Sequence, residues 1–263
     1  MDTIESPLSH ARLTTLSSAY RDGLLENIVP FWLRHGLDPD CGGIMTCVGQ
    51  DGAILDTDKG LWQQGRFAWL MGTLYHHVAP DPAWYHAAES TVGFIRQHGF
   101  ADDGQMYFQV TREGRPVRKR RYVFSESFAS IAMATWARIS QDEESACEAI
   151  RLFEQFVDYN TTAGKIAPKV NPATRPSQGI GPNMILINTC QVLRDCIGYE
   201  KADHYIDQAI ENIERFFVKP DLQVVMEMVG PKGELIDHFD GRMLNPGYAI
   251  EAAWFILHEA HRR

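Results

Sequence analysis

The chain has 263 residues, of which 44% are hydrophobic and 22% charged, an ordinary globular balance that excludes a collagen-like, mucin-like or wholly disordered chain. Asp and Glu number 34 against 25 Lys and Arg, so the formal net charge is −9, which argues against a general nucleic-acid binder. The five cysteines (Cys41, Cys47, Cys147, Cys190 and Cys196) are odd in number and lack CxxC spacing, no apolar run approaches the ~18–20 residues that span a bilayer, and the start MDTIESPLSHARL lacks a signal-peptide pattern; together these predict a soluble, cytoplasmic chain without a disulfide framework or thiolate zinc site.

Helical periodicity dominates. Leu13, Leu16, Tyr20, Leu24, Ile28 and Phe31 recur at three- and four-residue steps, which predicts a helix kinked at Pro30 and stopped at Gly36. Asp81 and Pro82 open a second clear helix, in which Trp84, Ala88, Val92 and Ile95 share a face and Gly99 ends the run. Eight helices are predicted in all, over 10–35, 59–78, 82–98, 125–140, 143–162, 181–198, 202–217 and 246–262. Between them, Asp51-Gly52, Glu113-Gly114 and Lys232-Gly233 each lie between short apolar runs and predict β-hairpins.

The order repeats. A hairpin precedes an aromatic-rich helix at GLWQQGRFAWLMGTLY, at YVFSESFASIAMATWARI and at LNPGYAIEAAWFILHEA, and a fourth such helix, PNMILINTCQVLRDCI, follows a Pro/Gly-rich loop. The helix starts fall near residues 62, 124, 184 and 248, in steps of 62, 60 and 64 residues. Such a period predicts stacked helix pairs, in a solenoid or a closed α/α toroid, against the alternative of an irregular bundle. If the second helix of each pair lines the inside, the first turns carry Arg66, Glu126, Asn188 and Glu251 to one mouth. Convergent polar groups between aromatic walls (Trp62, Trp69, Phe124, Phe128 and Trp254) suit a small polar ligand such as a sugar ring. In the rival reading Arg66 and Glu126 pair and merely hold adjacent helices together.

Three segments carry a resemblance: YRDGLLENIVPFWLRHGLDPDCGGIMTCVGQDGAILDTDKGLWQQGR, YVFSESFASIAMA and GRMLNPGYAIEAAWFILHEA. They resemble the N-acylglucosamine 2-epimerase family, which includes cellobiose 2-epimerases and related aldose–ketose isomerases. The likeness runs from about residue 20 to the end. It implies an all-α fold of the (α/α)6-barrel type, here about four of six helical hairpins with short β-hairpin insertions, in one incomplete domain over residues 1–263. It also implies proton removal from C2 of an opened monosaccharide or amino sugar, with the enediolate reprotonated at C2 or C1 by a pair of histidines. Arg66 matches the family arginine that steadies the enediolate, and Glu251 the carboxylate that orients substrate or base. Asn188 and Glu227 match pocket positions, and Trp62, Gln64, Glu126 and His238 complete the expected substrate-binding set.

Two departures stand out. Where the family reads NPGH, this chain has Tyr248, and a phenol, which titrates near 10, is a weak base unless a cation such as Arg66 lowers its pKa. The family's second histidine lies beyond the segment that matches, so the expectation is either a piece of a longer chain or an open barrel. Open apolar edges invite a homodimer or a chain that completes the barrel. No HExxH or dinucleotide pattern is present, so no metal or other cofactor is expected. The basic run RPVRKRRY reads as a solvated strand or an anion site. Three functional readings follow: a sugar 2-epimerase or isomerase, a catalytically impaired sugar-binding or assembly protein of the same descent, and a glycoside hydrolase using Glu126 and Glu251.

Overall fold

The structure, a computed structural model, describes residues 9–119, 123–168 and 170–263. The opening MDTIESPL and the centre of the basic run, Arg120, Arg121 and Tyr122, lie outside the described residues.

The first predicted helix forms as α1 (His10–Asp22), a π-helical stretch (Gly23–Ile28) and α2 (Val29–His35) in one continuous run. Within the stretch the Val29 N–H reaches Leu24 O, a wider pairing that sits just before Pro30, which has no N–H to offer. Strands β1 (Cys47–Val48) and β2 (Ile54–Asp56) then pair antiparallel across the Asp51-Gly52 turn. Gly52 takes φ +87° there, and a Cβ on it would stand 2.3 Å from His35 Nδ1, so glycine is required twice over. β3 (Lys59–Gly60) leads into α3 (Leu61–His77) and α4 (Pro82–His98). β4 (Gln109–Val110) pairs with both β3 and β5 (Pro116–Arg118), closing the second expected hairpin at Glu113-Gly114.

There follow α5 (Phe124–Ser140), α6 (Glu143–Thr161), β6 (Gln178–Gly179), α7 (Gly181–Ile197) and α8 (Ala202–Asn212). A π-helical stretch (Ile213–Phe217) continues α8, and then come β7 (Val218–Lys219), a 3-10 turn (Pro220–Leu222), β8 (Val224–Val225), β9 (Met228–Val229), the short α9 (Phe239–Arg242) and α10 (Pro246–Arg262). The third hairpin departs from expectation. The turn at Lys232-Gly233 forms, with Gly230 N–H to Glu234 O at 2.8 Å, but β9 pairs with β6 and β8 pairs with β7. The β6 strand takes the partner edge of β9, and the return arm carrying Leu235 stays exposed instead.

Helices α3, α5, α7 and α10 pack side by side as an inner layer, while α4, α6 and α8 cover α3, α5 and α7 from outside. This is the alternation of an (α/α)6 barrel, present as about four of its six hairpins. Every residue from Ser125 to Ala137 of α5 is buried, so the core lies in the middle of the arc. It thins at both edges: α1 buries none of its residues, and α10 leaves Ile250, Trp254 and Leu257 at 69%, 60% and 67% exposure. Those three, at i, i+4 and i+7, form one uncovered apolar stripe.

Two ion clusters lock the arc. Lys59 is fully buried, and its ammonium donates to Asp38 Oδ2 (2.7 Å), Gly42 O (2.7 Å) and Arg112 O (3.1 Å). Arg112 grips the same carboxylate in a fork at 2.9 and 2.7 Å. Burial opposes ionisation of Asp38, but the hydrogen bonds from Arg112 and Lys59 overcome it and hold the carboxyl far below the usual range. At the other edge, Arg194 of α7 forks onto Glu259 of α10 with two contacts of 2.9 Å. These bonds, from Arg194 first, bring the Glu259 pKa down to about 2 against the opposing effect of burial.

Candidate functional site

Helical spacing puts Trp62 and Arg66 of α3, Phe124 and Phe128 of α5, Met184 and Asn188 of α7, and Tyr248 and Glu251 of α10 on the faces that look inward. The first turns of these helices surround a mouth cavity of about 430 Å³, lined among others by Trp62, Phe124, Glu227 and Tyr248. Behind it lies an inner cavity of about 570 Å³ that includes Trp69, Asn188, Gln191 and Trp254. Arg66, Phe128, Ile185 and Glu251 line both, so the cation and the carboxylate stand where the two spaces meet.

Arg66 lies over the Phe128 ring, with its guanidinium carbon 4.0 Å from the ring centroid. The protein around the guanidinium lowers its pKa by desolvation, and the negative charge of Glu251 opposes that shift. The arginine still remains a cation at any physiological pH. The α10 start is set by Asn-Pro-Gly: Asn245 Oδ1 accepts the Gly247 N–H at 3.1 Å and Pro246 fits the first turn, which delivers Tyr248 to the mouth. Glu227 is held over the start of α7, because its own carbonyl accepts the Ile180 N–H at 3.0 Å.

Three expected site residues sit elsewhere. Gln64 is fully buried, and its side chain clamps Ile44, accepting its N–H at 2.9 Å and donating to its carbonyl at 2.7 Å. Glu126 does the same work in the next repeat, its Oε1 accepting the Met106 N–H at 2.9 Å. Each clamp spans 20 positions, and the two lie 62 residues apart (126 − 64), one full repeat. The physical reason is rotation: two residues along a helix is about 200°, which turns positions 64 and 126 away from the face of Trp62 and Phe124. Arg66 and Glu126 therefore form no ion pair, and Glu126 and Glu251 do not flank a common space as a hydrolase pair must. Burial of Glu126 pushes its pKa up to about 7, against the pull of its backbone hydrogen bonds. His238 is the third correction. It precedes α9, its N–H bonds Ile236 O, and it lines neither cavity.

No histidine lines the mouth cavity among the described residues. His77 and His258 line the inner one. Among the described residues, no three His, Cys, Asp or Glu side chains are grouped to hold a metal ion, and no helix is long and apolar enough to cross a membrane. Sequence reasoning missed Gln191, which lines the inner cavity one turn after Asn188; its helical register relative to Asn188 was the available signal.

An inner arc of helices sheathed by an outer layer, with a polar cleft at the inner N-termini, defines the α/α-barrel class. Among solved structures, the chain superposes on the cellobiose 2-epimerase of Bacillus thermoamylovorans B4167 with a TM-score of 0.79 at 19% identity, covering 92% of this chain and 66% of that one. A sugar epimerase from a ruminal bacterium gives 0.78 at 20% identity, covering 91% and 64%. At such identities these show the fold. The chain belongs to the N-acylglucosamine 2-epimerase family, whose model matches residues 42–263. The N-acylglucosamine 2-epimerase of Bos taurus is 31% identical over 251 residues, which is 91% of this chain and 58% of that protein. Its Homo sapiens counterpart is 30% identical over 249 residues, 91% and 57% of the two chains. The chain thus spans a little over half the length of these curated relatives.

Proposed function

We propose that this chain carries the sugar-binding centre of a sugar 2-epimerase or aldose–ketose isomerase, acting on a monosaccharide or amino sugar by proton transfer next to the carbonyl. One observation carries the reading: Arg66, stacked on Phe128, stands with Glu251 at the waist of an aromatic-lined cavity. An opened aldose offers its carbonyl oxygen to the Arg66 fork. Transfer of the C2 proton to Tyr248 Oη, the acid/base of this reading in its phenolate form, moves charge onto that oxygen, where a fixed cation lowers the barrier, and the resulting phenol holds the proton for its return. Among the described residues, Glu251 and Glu227 are the carboxylates that line the mouth cavity, and Tyr248 stands at its rim. Return of the proton to the other face of C2 gives the epimer, and return to C1 gives the ketose.

A second reading has a specific observation in its favour. With Tyr248 where the family carries histidine, and no histidine lining the mouth cavity among the described residues, the chain holds sugar without efficient proton transfer. Incubation with aldoses and N-acylated amino sugars in D2O separates the two. Deuterium at C2 supports the epimerase, bound sugar without deuterium supports the binding protein, and absence of both refutes either role.

The cytoplasmic placement belongs to the same proposal and is supported by five cysteines that are all free thiols. So does a partner across the open edge, a second copy or a chain completing the barrel, supported by the uncovered stripe of Ile250, Trp254 and Leu257. The mass of the native particle by light scattering tests it.

A further inference from the structure

Proton transfer at C2 starts from the open aldehyde, whereas water holds a reducing pyranose almost wholly as its ring. Opening the ring takes one proton from the anomeric O1 and gives one to the ring O5. Both oxygens sit on C1, spaced much as the two oxygens of a carboxylate are. One carboxylate can therefore serve both, and a phenol such as Tyr248, with a single oxygen, cannot.

Two carboxylates line the mouth cavity among the described residues, Glu227 and Glu251. Glu251 is occupied by the charge of Arg66, on which its own negative charge acts. Glu227 differs. Among the described residues, no hydrogen bond or ion pair engages its carboxylate, although its backbone is pinned on both flanks. Its carbonyl accepts the Ile180 N–H at 3.0 Å, and the Met226 N–H bonds Phe217 O at 2.9 Å. Met228 pairs with Gly179 across β6 and β9. A Cβ on Gly179 would stand 3.2 Å from Met228 Sδ, so glycine there lets the arm that bears Glu227 lie close over the start of α7. The apolar wall of the same cavity, Phe124, Ile180 and Met184, exchanges no protons. A bare carboxylate on a fixed stem suits proton transfer, because no bond has to break before it acts.

We propose that Glu227 is the catalytic residue that opens and closes the sugar ring, which gives the mouth an anomer-exchange (mutarotase) activity on reducing pyranoses. The proposal rests on the reading that the mouth takes a reducing sugar. The Glu227 carboxylate takes the proton of O1–H, the O1 electron pair forms the C1–O1 double bond, and the C1–O5 bond breaks onto O5. The same proton then passes from Glu227 to O5, so the carboxylate ends as it began and nothing is oxidised or reduced. Closure on the opposite face of C1, by the reverse transfers, gives the other anomer. No C2 bond changes, so this activity is separable from epimerisation.

Freshly dissolved N-acetyl-α-D-glucosamine and α-D-glucose are the probes, followed by NMR of their anomeric protons, which separates anomers from epimers. The native protein is expected to speed equilibration of bound sugar by about a hundredfold or more. Glu227→Gln keeps the size and the backbone bonds but accepts no proton. It is expected to lose at least about tenfold of that acceleration. Its sugar affinity, read by tryptophan fluorescence, is expected to stay within about threefold of the native value. Should Glu227→Gln fail to fold, Glu227→Ser is read by the same outcomes. The proposal is overturned by native protein that does not speed anomer exchange, or by acceleration that persists in the variant. Binding and acceleration that vanish together in the variant also overturn it, since Glu227 is then a binding contact. Deuterium at C2 is measured on the same samples. Anomer exchange without C2 deuterium refutes only the epimerase reading, whereas C2 deuterium without faster anomer exchange refutes only the role of Glu227.

Discussion

Replacing Glu126 with glutamine is the sharpest probe of the repeat clamp. Burial raises the pKa of this carboxyl from 4.5 to about 7. At ~1.4 kcal/mol per pH unit, the ionised form is disfavoured in the fold by about 3 kcal/mol. The sign follows from linkage. The penalty is absent below the unfolded value, grows as pH rises toward the folded value, and is complete above it. Glu126→Gln keeps the acceptor for the Met106 N–H and removes the charge. Its twin in the preceding repeat, Gln64, shows that an amide satisfies such a clamp through both of its polar atoms. The variant is therefore expected to be more stable than the native protein at pH 8 by about 2–3 kcal/mol, and nearly equal to it at pH 5. For a chain of this size that is a rise in Tm of roughly 5–10 °C at pH 8. Calorimetry across pH 5 to 8 measures it. A difference that does not change with pH, or a variant less stable at pH 8, would refute a buried, near-neutral Glu126 and the repeat equivalence with it.

Arg66→Lys keeps the charge but loses the flat fork lying on Phe128, and C2 deuterium exchange is expected to fall by about a hundredfold or more. Tyr248→His restores the base that the family carries, and exchange is expected to rise at least about tenfold, peaking near neutral pH; an unchanged rate would mean that Tyr248 is not beside the reacting carbon. Arg194→Met leaves Glu259 buried without its main partner and is expected to cost about 3–5 kcal/mol in chemical denaturation, with amide exchange faster in α10 than in α5. In the native protein the Glu259 pairing contributes stability that is present above pH 4.5 and lost as pH falls toward about 2, so the same substitution is expected to flatten the acid limb of the stability curve. Gly114→Ala forces a side chain onto φ +88° and to 2.1 Å from His98, and is expected to lower Tm by several degrees with no effect on C2 exchange.

Much of the molecule was legible in the chain. Apolar spacing of three and four residues located the long helices, because a helix buries one face and that face must repeat. Asp51-Gly52 and Glu113-Gly114 marked turns because the backbone there needs a positive φ that glycine adopts freely. The WQQGR and NPGYAIE segments marked the mouth through the repeat of helix starts and the resemblance they carry. Tertiary structure decided the rest. Gln64 and Glu126 sit beside Arg66 and Phe128 in sequence yet face the opposite way, and only the packing of loops 20 residues upstream shows what they hold. β9 could pair across its own turn or with β6, a choice made by strands some 50 residues apart. The orientation of the Gln191 amide is set across space by α10, whose Phe255 carbonyl and Glu259 carboxylate accept from its Nε2. Periodicity and caps depend on neighbours along the chain, whereas orientation, strand partner and hydrogen-bond satisfaction depend on neighbours in space, and those are set only when the repeats close on one another.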